Sequence, residues 1–418
     1  MPPLEAHLLS GARLVAAHLV FVGSYVVFAL GRFPWMKIDR PGAAIIGAVL
    51  MVAFRVVGAP EALASIDFAT VVLLFSMTLI VANLRLGGFF DWITDAAIAR
   101  LHPRHLLPVV VFTSGILSAF LVNDIVCLVM TPFVLHITRR LRRPPAPYVL
   151  AVALASNAGS TATITGNPQN MLIGSLSGIS YLRFLLELGP VALVGLIVTW
   201  TTLHWMYLGG VMDDVTVADA ARKSPRRQVQ LKPIVVLVVV LGGFLAGVPA
   251  PLMAALGAAA LLITRTIEPR RVYQDVDWGL LVFFIGLFVV VGGADRAGLT
   301  RALLDPIAAW NLHRLALFVP ATALLSNIVS NVPAVMLLRT VVSRFPDPHT
   351  GWIALAMAST LAGNLTITGS VANIIVVERA ASDGVRIGFR EYARAGIPIA
   401  VATLVIGSAW LWLIGGSW

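Results

Sequence analysis

The chain has 418 residues, 58% of them hydrophobic and only 12% charged. A soluble domain of this length has too little interior to hide that much apolar surface, so the composition excludes a globular soluble fold. The net charge of +10 is no nucleic-acid footprint, because basic residues gather in short loops such as 139–145 and 222–232, the positive-inside pattern of cytoplasmic loops.

In chain order, apolar runs and their breakers predict spans near 12–31, 41–58, 66–85, 148–176 and 184–208. A second group follows near 233–248, 251–264, 277–293, 351–378 and 393–414. Residues 106–137 and 314–344 fit neither pattern. Each has the length of two short helices with a polar pair in the middle, which predicts a re-entrant hairpin whose irregular tip is buried at membrane depth. A basic linker, 212–232, separates the two groups and is expected in the cytoplasm. The N-terminus lacks the basic leader and cleavage site of a secretory signal, so the first span is expected to be retained. One cysteine, Cys127, excludes a disulfide framework or a multi-cysteine metal site within the chain, and no metal site is expected.

The chain also matches itself. ASNAGSTATITGNPQNMLI (155–173) aligns without gaps to ASTLAGNLTITGSVANIIV (358–376), placing Asn170 opposite Asn373. Upstream, Asn123 falls opposite Asn331 and Asp67 opposite Asp277. Matches in the same order at a nearly constant offset predict an internal duplication. Five spans and a hairpin make an odd number of crossings, so the second copy must enter from the opposite side. The expected fold is an all-α polytopic membrane protein of about ten transmembrane helices in two inverted-topology repeats, each with a re-entrant hairpin and a broken helix. The repeats are 1–211 and 233–418, with both termini outside; most of the 30 Lys and Arg then lie on the cytoplasmic side.

The stretch SNAGSTATITGNPQN (156–170) sits where a membrane helix should continue, yet Ile164 is its only large apolar side chain. An unwound helix frees backbone groups that lipid cannot satisfy but a ligand can. A half-helix starting near Pro168 would offer N–H groups to an anion or an oxygen-rich solute. A half-helix ending near Asn157 would offer carbonyls to Na⁺ or a proton-carrying group. The solute-binding candidates are Asn157, Ser160, Thr161, Thr163, Asn167 and Asn170. Asn364, Thr366, Thr368 and Asn373 join them from the second copy, and the hairpin-tip residues Asn123 and Asn331 would close the site.

Asp124 stands at the first hairpin tip, where its counterpart is Val332. An ionisable group at that depth reads as a proton carrier or cation ligand, with a helix cap as the alternative. Cys127, one turn on, reads as a small apolar filler more than as a ligand for a thiophilic solute. Asp67 and Asp277 are expected to cap or anchor span starts. Arg55 and Arg339 are expected to snorkel or to bond a carbonyl.

The hairpin NDIVCLVMTP and the stretch GSTATITGNPQN resemble the ion transporter superfamily. That group includes ArsB-type arsenite permeases, NhaD-type Na⁺/H⁺ antiporters and divalent-anion/Na⁺ symporters. The resemblance covers nearly the whole chain. The first hairpin and GLLVFFIGLFVVVGGADRAGLT (279–300) look most like the ArsB and NhaD side. The tips Val122-Asn123-Asp124 and Ser330-Asn331-Val332 lack the Ser-Asn-Thr of the dicarboxylate symporters.

The resemblance implies a secondary transporter with an elevator-like motion in a bacterial-type inner membrane. It would use no cofactor, move a small inorganic or carboxylate solute, and couple to H⁺ or Na⁺. A homodimer is consistent with it. The leading expectation is proton-coupled efflux of arsenite or antimonite. A Na⁺- or H⁺-coupled anion or dicarboxylate transporter and a Na⁺/H⁺ antiporter are the alternatives. No enzyme is expected, since no HExxH or triad-like grouping is present. No nucleotide-binding loop is present either, so ATP drive would need a separate ATPase subunit.

Overall fold

The computed structural model describes residues 11–31, 37–93, 105–207, 229–263, 267–300, 302 and 311–415. They form helices and turns, with no β-strand among the described residues. The first half comprises α1 (Gly11–Leu30), α2 (Arg40–Ala53), α3 (Ala59–Ala64), α4 (Phe68–Leu86), α5 (Leu106–Phe120), α6 (Asn123–Arg140), α7 (Ala146–Ser160), α8 (Pro168–Ser177) and α9 (Tyr181–Tyr207). The second half repeats this order element for element. It comprises α10 (Leu231–Leu245), α11 (Ala250–Ile263), α12 (Pro269–Gln274), α13 (Trp278–Arg296), α14 (Leu315–Val329), α15 (Asn331–Val342), α16 (Pro348–Leu361), α17 (Val371–Ser382) and α18 (Phe389–Gly415).

Helices α1, α4, α9, α13 and α18 are long and apolar enough to cross a membrane unaided. The shorter α2, α10 and α11 and the broken pairs α7–α8 and α16–α17 complete the ten crossings. The pairs α5–α6 and α14–α15 are the two hairpins. This is the all-α, two-repeat membrane fold expected from the sequence. Residues 212–228 of the expected linker lie outside the described residues.

Helix starts follow capping chemistry. Asp67 accepts from the Ala69 amide (3.1 Å) and the Thr70 hydroxyl (2.7 Å), and its repeat partner Asp277 accepts from the Leu280 amide (2.9 Å). Two elements escaped the sequence reading. The expected span 41–58 stops at Ala53, and α3 and α12 are extra short helices that turn the chain back toward the membrane. Both start at a proline-bearing first turn, a local signal that no apolar periodicity announces.

Packing sorts the helices into two groups. In a frame, α2 packs on α13 and α4 on α11, so each repeat holds a helix of the other. Arg85, ending α4, pairs with Asp275 after α12; Arg296, ending α13, pairs with Glu61 of α3. The inner group holds the hairpins, the broken helices, α9 and α18. There α5 and α7 approach so closely that a Cβ on Gly159 would lie 2.1 Å from the Gly115 carbonyl oxygen, which demands glycine.

Candidate functional site

The two unwound segments are built alike. Thr163 (φ −137°, ψ 163°) and Thr366 (φ −139°, ψ 161°) are extended, a 3₁₀ turn follows at Ile164–Gly166 and Ile367–Gly369, and Asn167 and Ser370 stand at the N-cap position of the next helix, Asn167 with a side-chain cap bond and Ser370 without one. One asparagine fixes each loop. The Asn170 side-chain amide donates to the carbonyls of Ser160 (3.1 Å) and Thr163 (3.0 Å). Asn373 donates to those of Gly363 (2.6 Å) and Thr366 (3.0 Å). Backbone oxygens that lipid would leave orphaned are thereby satisfied.

The loops are then stitched across the repeats. Asn157, at the end of α7, donates to the side chains of Asn364 and Asn373 (both 2.9 Å) and accepts from Ser370 (3.1 Å) and Asn123 (3.4 Å). Its repeat partner Thr360, ending α16, accepts from Asn167 (3.1 Å) and Gln169 (3.3 Å) and reaches Asn170 (3.3 Å). Each first half-helix therefore ends beside the start of the other copy's second half-helix, as copies inserted in opposite senses require.

This network absorbs most of the expected solute ligands. Asn157, Ser160, Thr161, Thr163, Asn167, Asn170, Asn364 and Asn373 are all buried. The hydroxyls of Ser160 and Thr161 donate back to the Asn157 carbonyl (3.0 and 3.1 Å), and the Thr163 hydroxyl donates to the Ala119 carbonyl. Of the N–H groups expected to be free near Pro168, that of Asn170 is taken, since it donates to the Asn167 side-chain oxygen at 2.9 Å. An asparagine before a helix-opening proline is simply a good cap.

Beside this network lies a cavity of about 660 Å³. Of the expected residues, Asn123, Asp124, Asn331 and Thr368 line it; Thr366 sits just behind, bonded to Asn327 (3.0 Å) and Thr368 (3.3 Å). Gln169, Ser330 and Ser370 also line it and were missed. Gln169 follows a helix-opening proline, a first-turn position that could have flagged it. Ser330 holds φ at +79°, a strained state for a serine, where the other tip has Val122 at −62°.

The wall holds four carboxylates, Asp39, Asp124, Asp277 and Glu378, against one guanidinium, Arg40, whose Nε is committed to the Phe28 carbonyl at 3.0 Å. Asp124 is in the first turn of α6 and makes no capping bond, so the cap alternative does not hold. The Asn123 side-chain oxygen beside it is buried without a hydrogen-bond partner. Cys127 is buried in the apolar core and absent from the wall. Arg339 avoids the cavity too, and its partner is neither lipid headgroup nor carbonyl but the Asp295 carboxylate.

A helical bundle in which two broken helices meet beside a central cavity is the architecture of a secondary transporter. The citrate transporter family (CitMHS) matches residues 25–352, and the chain belongs to this family within the ion transporter superfamily. The chain is 31% identical to the "46 kDa membrane protein" of Mycobacterium leprae, over 96% of this chain and 98% of that one. It is 30% identical to the silicon efflux transporter LSI3 of rice, Oryza sativa subsp. japonica, with the same coverage. It is 26% identical to the putative transporter arsB of Dictyostelium discoideum, over 91% of this chain and 88% of that one. In fold it resembles the YdaH transporter of Alcanivorax borkumensis, with a TM-score of 0.54 at 14% identity, covering 97% and 98% of the two chains.

Proposed function

We propose that the chain exports arsenite or antimonite in exchange for protons, by an elevator-like alternating-access movement of the inner helix group against the frame. One observation carries the reading: the cavity offers neutral amides and hydroxyls and four carboxylates against a single guanidinium. An anionic solute meets net repulsion there, whereas an uncharged trihydroxy acid can both donate to carboxylates and accept from amides. Two relatives are named for silicon efflux and as an arsB transporter; silicic acid and arsenous acid, the trihydroxy form of arsenite, are both uncharged at neutral pH.

In this reading Asn123, Asn331 and Thr368, with Gln169 and Ser370, touch the solute. Asn157, Ser160, Thr161, Thr163, Asn167, Asn170, Asn364, Thr366 and Asn373 hold the loops that present them. Asp124 carries the coupling proton. The repeats run 1–211 and 233–418 about the linker 212–232, in an inner membrane with both termini outside. The cavity mouth, near Arg40 and Glu378, then faces the cytoplasm.

The same acidic wall supports a second reading, Na⁺/H⁺ antiport with Asp124 as the cation ligand. Everted vesicles separate the two. Saturable arsenite uptake that needs an inside-acid gradient and falls in Asp124→Asn is the expected result. No uptake above empty-vector vesicles, with folded protein present, rejects arsenite. Na⁺ uptake under the same gradient would then carry the second reading.

A further inference from the structure

We propose that the Arg339–Asp295 ion pair and the Tyr25–Pro333 hydrogen bond form a state-specific lock. It holds the second hairpin against the frame and shuts the cavity on the side opposite its mouth. The proposal rests on the alternating-access reading, not on the identity of the solute.

The mouth is marked by Asp39, Asp277 and Glu378, all exposed at one end of the cavity, while Asn123, Asn331, Ser370 and Gln169 form its buried floor. Helix α13 starts at that mouth and ends at Asp295, roughly 27 Å further along its axis. Helix α15 starts at the floor and runs alongside the far half of α13. Arg339 is eight residues in, about 12 Å along, where its guanidinium meets Asp295. The pair is only partly open to solvent, with side chains 25% and 32% exposed. Nearer the floor, the buried Tyr25 hydroxyl of α1 donates to the Pro333 carbonyl at 3.2 Å. The frame helix α13 and α1, which packs on α2 and α13, thus hold α15 over the far side of the cavity.

The duplication shows that this tie is not part of the common scaffold. At the offset that puts Asn123 on Asn331, Arg339 corresponds to Thr131; at the offset that puts Asp67 on Asp277, Asp295 corresponds to Arg85. Those two residues are not joined. Thr131 donates to the Cys127 carbonyl of its own helix at 2.7 Å, and Arg85 is taken by Asp275. The equivalent place beside the first hairpin lies on the mouth side, and the cavity is open there. A two-fold repeat in which, among the described residues, this ion pair has no counterpart at the equivalent positions of the first copy has the asymmetry that a cavity with a single mouth requires. Moving the inner group to the other state must break the ion pair and the Tyr25 bond.

The test is site-directed labelling. Val371→Cys places a thiol in the cavity wall, while native Cys127 is buried and serves as the unlabelled control. A membrane-impermeant maleimide is applied to whole cells and to everted vesicles, and the faster face identifies the mouth. Arg339→Gln and Asp295→Asn are each expected to raise labelling from the slower face several-fold. The swapped pair, Arg339→Asp with Asp295→Arg, should bring it back to the parent rate. Tyr25→Phe removes one hydroxyl only and should give a smaller rise in the same direction, even if the charge variants fail to fold. Unchanged slower-face labelling in the folded variants would overturn the lock. Equally fast labelling from both faces in the parent would overturn alternating access, and the lock with it.

Discussion

The two unwound segments share a backbone and differ in their surroundings. From Thr161 to Asn170 every residue of the first is buried, whereas Leu365 to Thr368 of the second are half-buried to exposed, with Thr368 in the cavity wall. The cause is cover. The Thr163 hydroxyl is taken by Ala119 of α5, and that of Thr165 meets the Tyr181 hydroxyl of α9 at 2.8 Å. In the second copy the only such neighbour found for Thr366 among the described residues is the side chain of Asn327. Loop conformation is therefore set by the asparagine clamp, and access to solute by which helix lies over the loop. The same split separates the hairpin tips, where Asp124 has Val332 as its counterpart.

The sharpest way to break this comparison is to fill the glycines at the ends of the two 3₁₀ turns. A Cβ on Gly166 would lie 2.2 Å from the Ser160 carbonyl oxygen, which is backbone held by Asn170 and cannot retreat. On Gly369 it would meet the Asn327 side-chain oxygen at 2.6 Å and the Gly363 carbonyl oxygen at 3.0 Å, and a side chain can turn away. Gly166→Ala should cost about 4 kcal/mol or more and leave little folded protein, whereas Gly369→Ala should cost roughly 1–2 kcal/mol. Thermal unfolding of the detergent-purified proteins checks this, and equal losses would contradict the assigned difference in cover.

The clamps come next. Asn170→Ala frees the carbonyls of two buried residues, so about 3 kcal/mol of stability should be lost. Asn373→Ala frees one buried carbonyl and one, at Thr366, that water can reach, so the loss should be nearer to about 2 kcal/mol. Melting curves of the two variants, run side by side, rank them.

Much of this plan was legible in the sequence because it is written in local chemistry. Pro168 at a helix start, aspartates before Phe68 and Trp278, and a polar run inside an apolar one each have a meaning within a few residues. Recurrence of such signals in the same order at a nearly constant offset reveals the duplication. What spacing could not carry was cover. Thr163 and Thr366 sit in the same Thr-Ile-Thr-Gly, and only the packing of α5, α9 and α14 makes one a buried strut and leaves the other beside the cavity. Arg339 illustrates the same limit, since its partner Asp295 lies 44 residues away on another helix.

Smaller effects separate strut from wall. Thr165→Val leaves the buried Tyr181 hydroxyl without its bond and should lower stability by about 1–2 kcal/mol, with the apparent solute affinity unchanged. Thr368→Val should do the reverse, weakening solute affinity several-fold in vesicle uptake while the melting temperature holds.

The smallest effect concerns how the two broken helices begin. Helix α16 is capped by Asp347, which accepts from the amides of His349 and Thr350 (both 3.1 Å) and from the Thr350 hydroxyl (2.7 Å); α7 follows Pro145 and has no side-chain cap. Burial pushes the Asp347 carboxyl up, but the Thr350 hydroxyl and the two amides outweigh it and hold the carboxyl below its ordinary range. A carboxyl lowered on folding contributes stability that is fully present above its unfolded value, about 3.9, and is lost as pH falls through the folded value. Asp347→Ala should therefore cost about 1 kcal/mol at neutral pH. The gap between its melting curve and that of the parent should close on acidification below about pH 4. A gap independent of pH would mean that α16 starts as α7 does, without help from its cap.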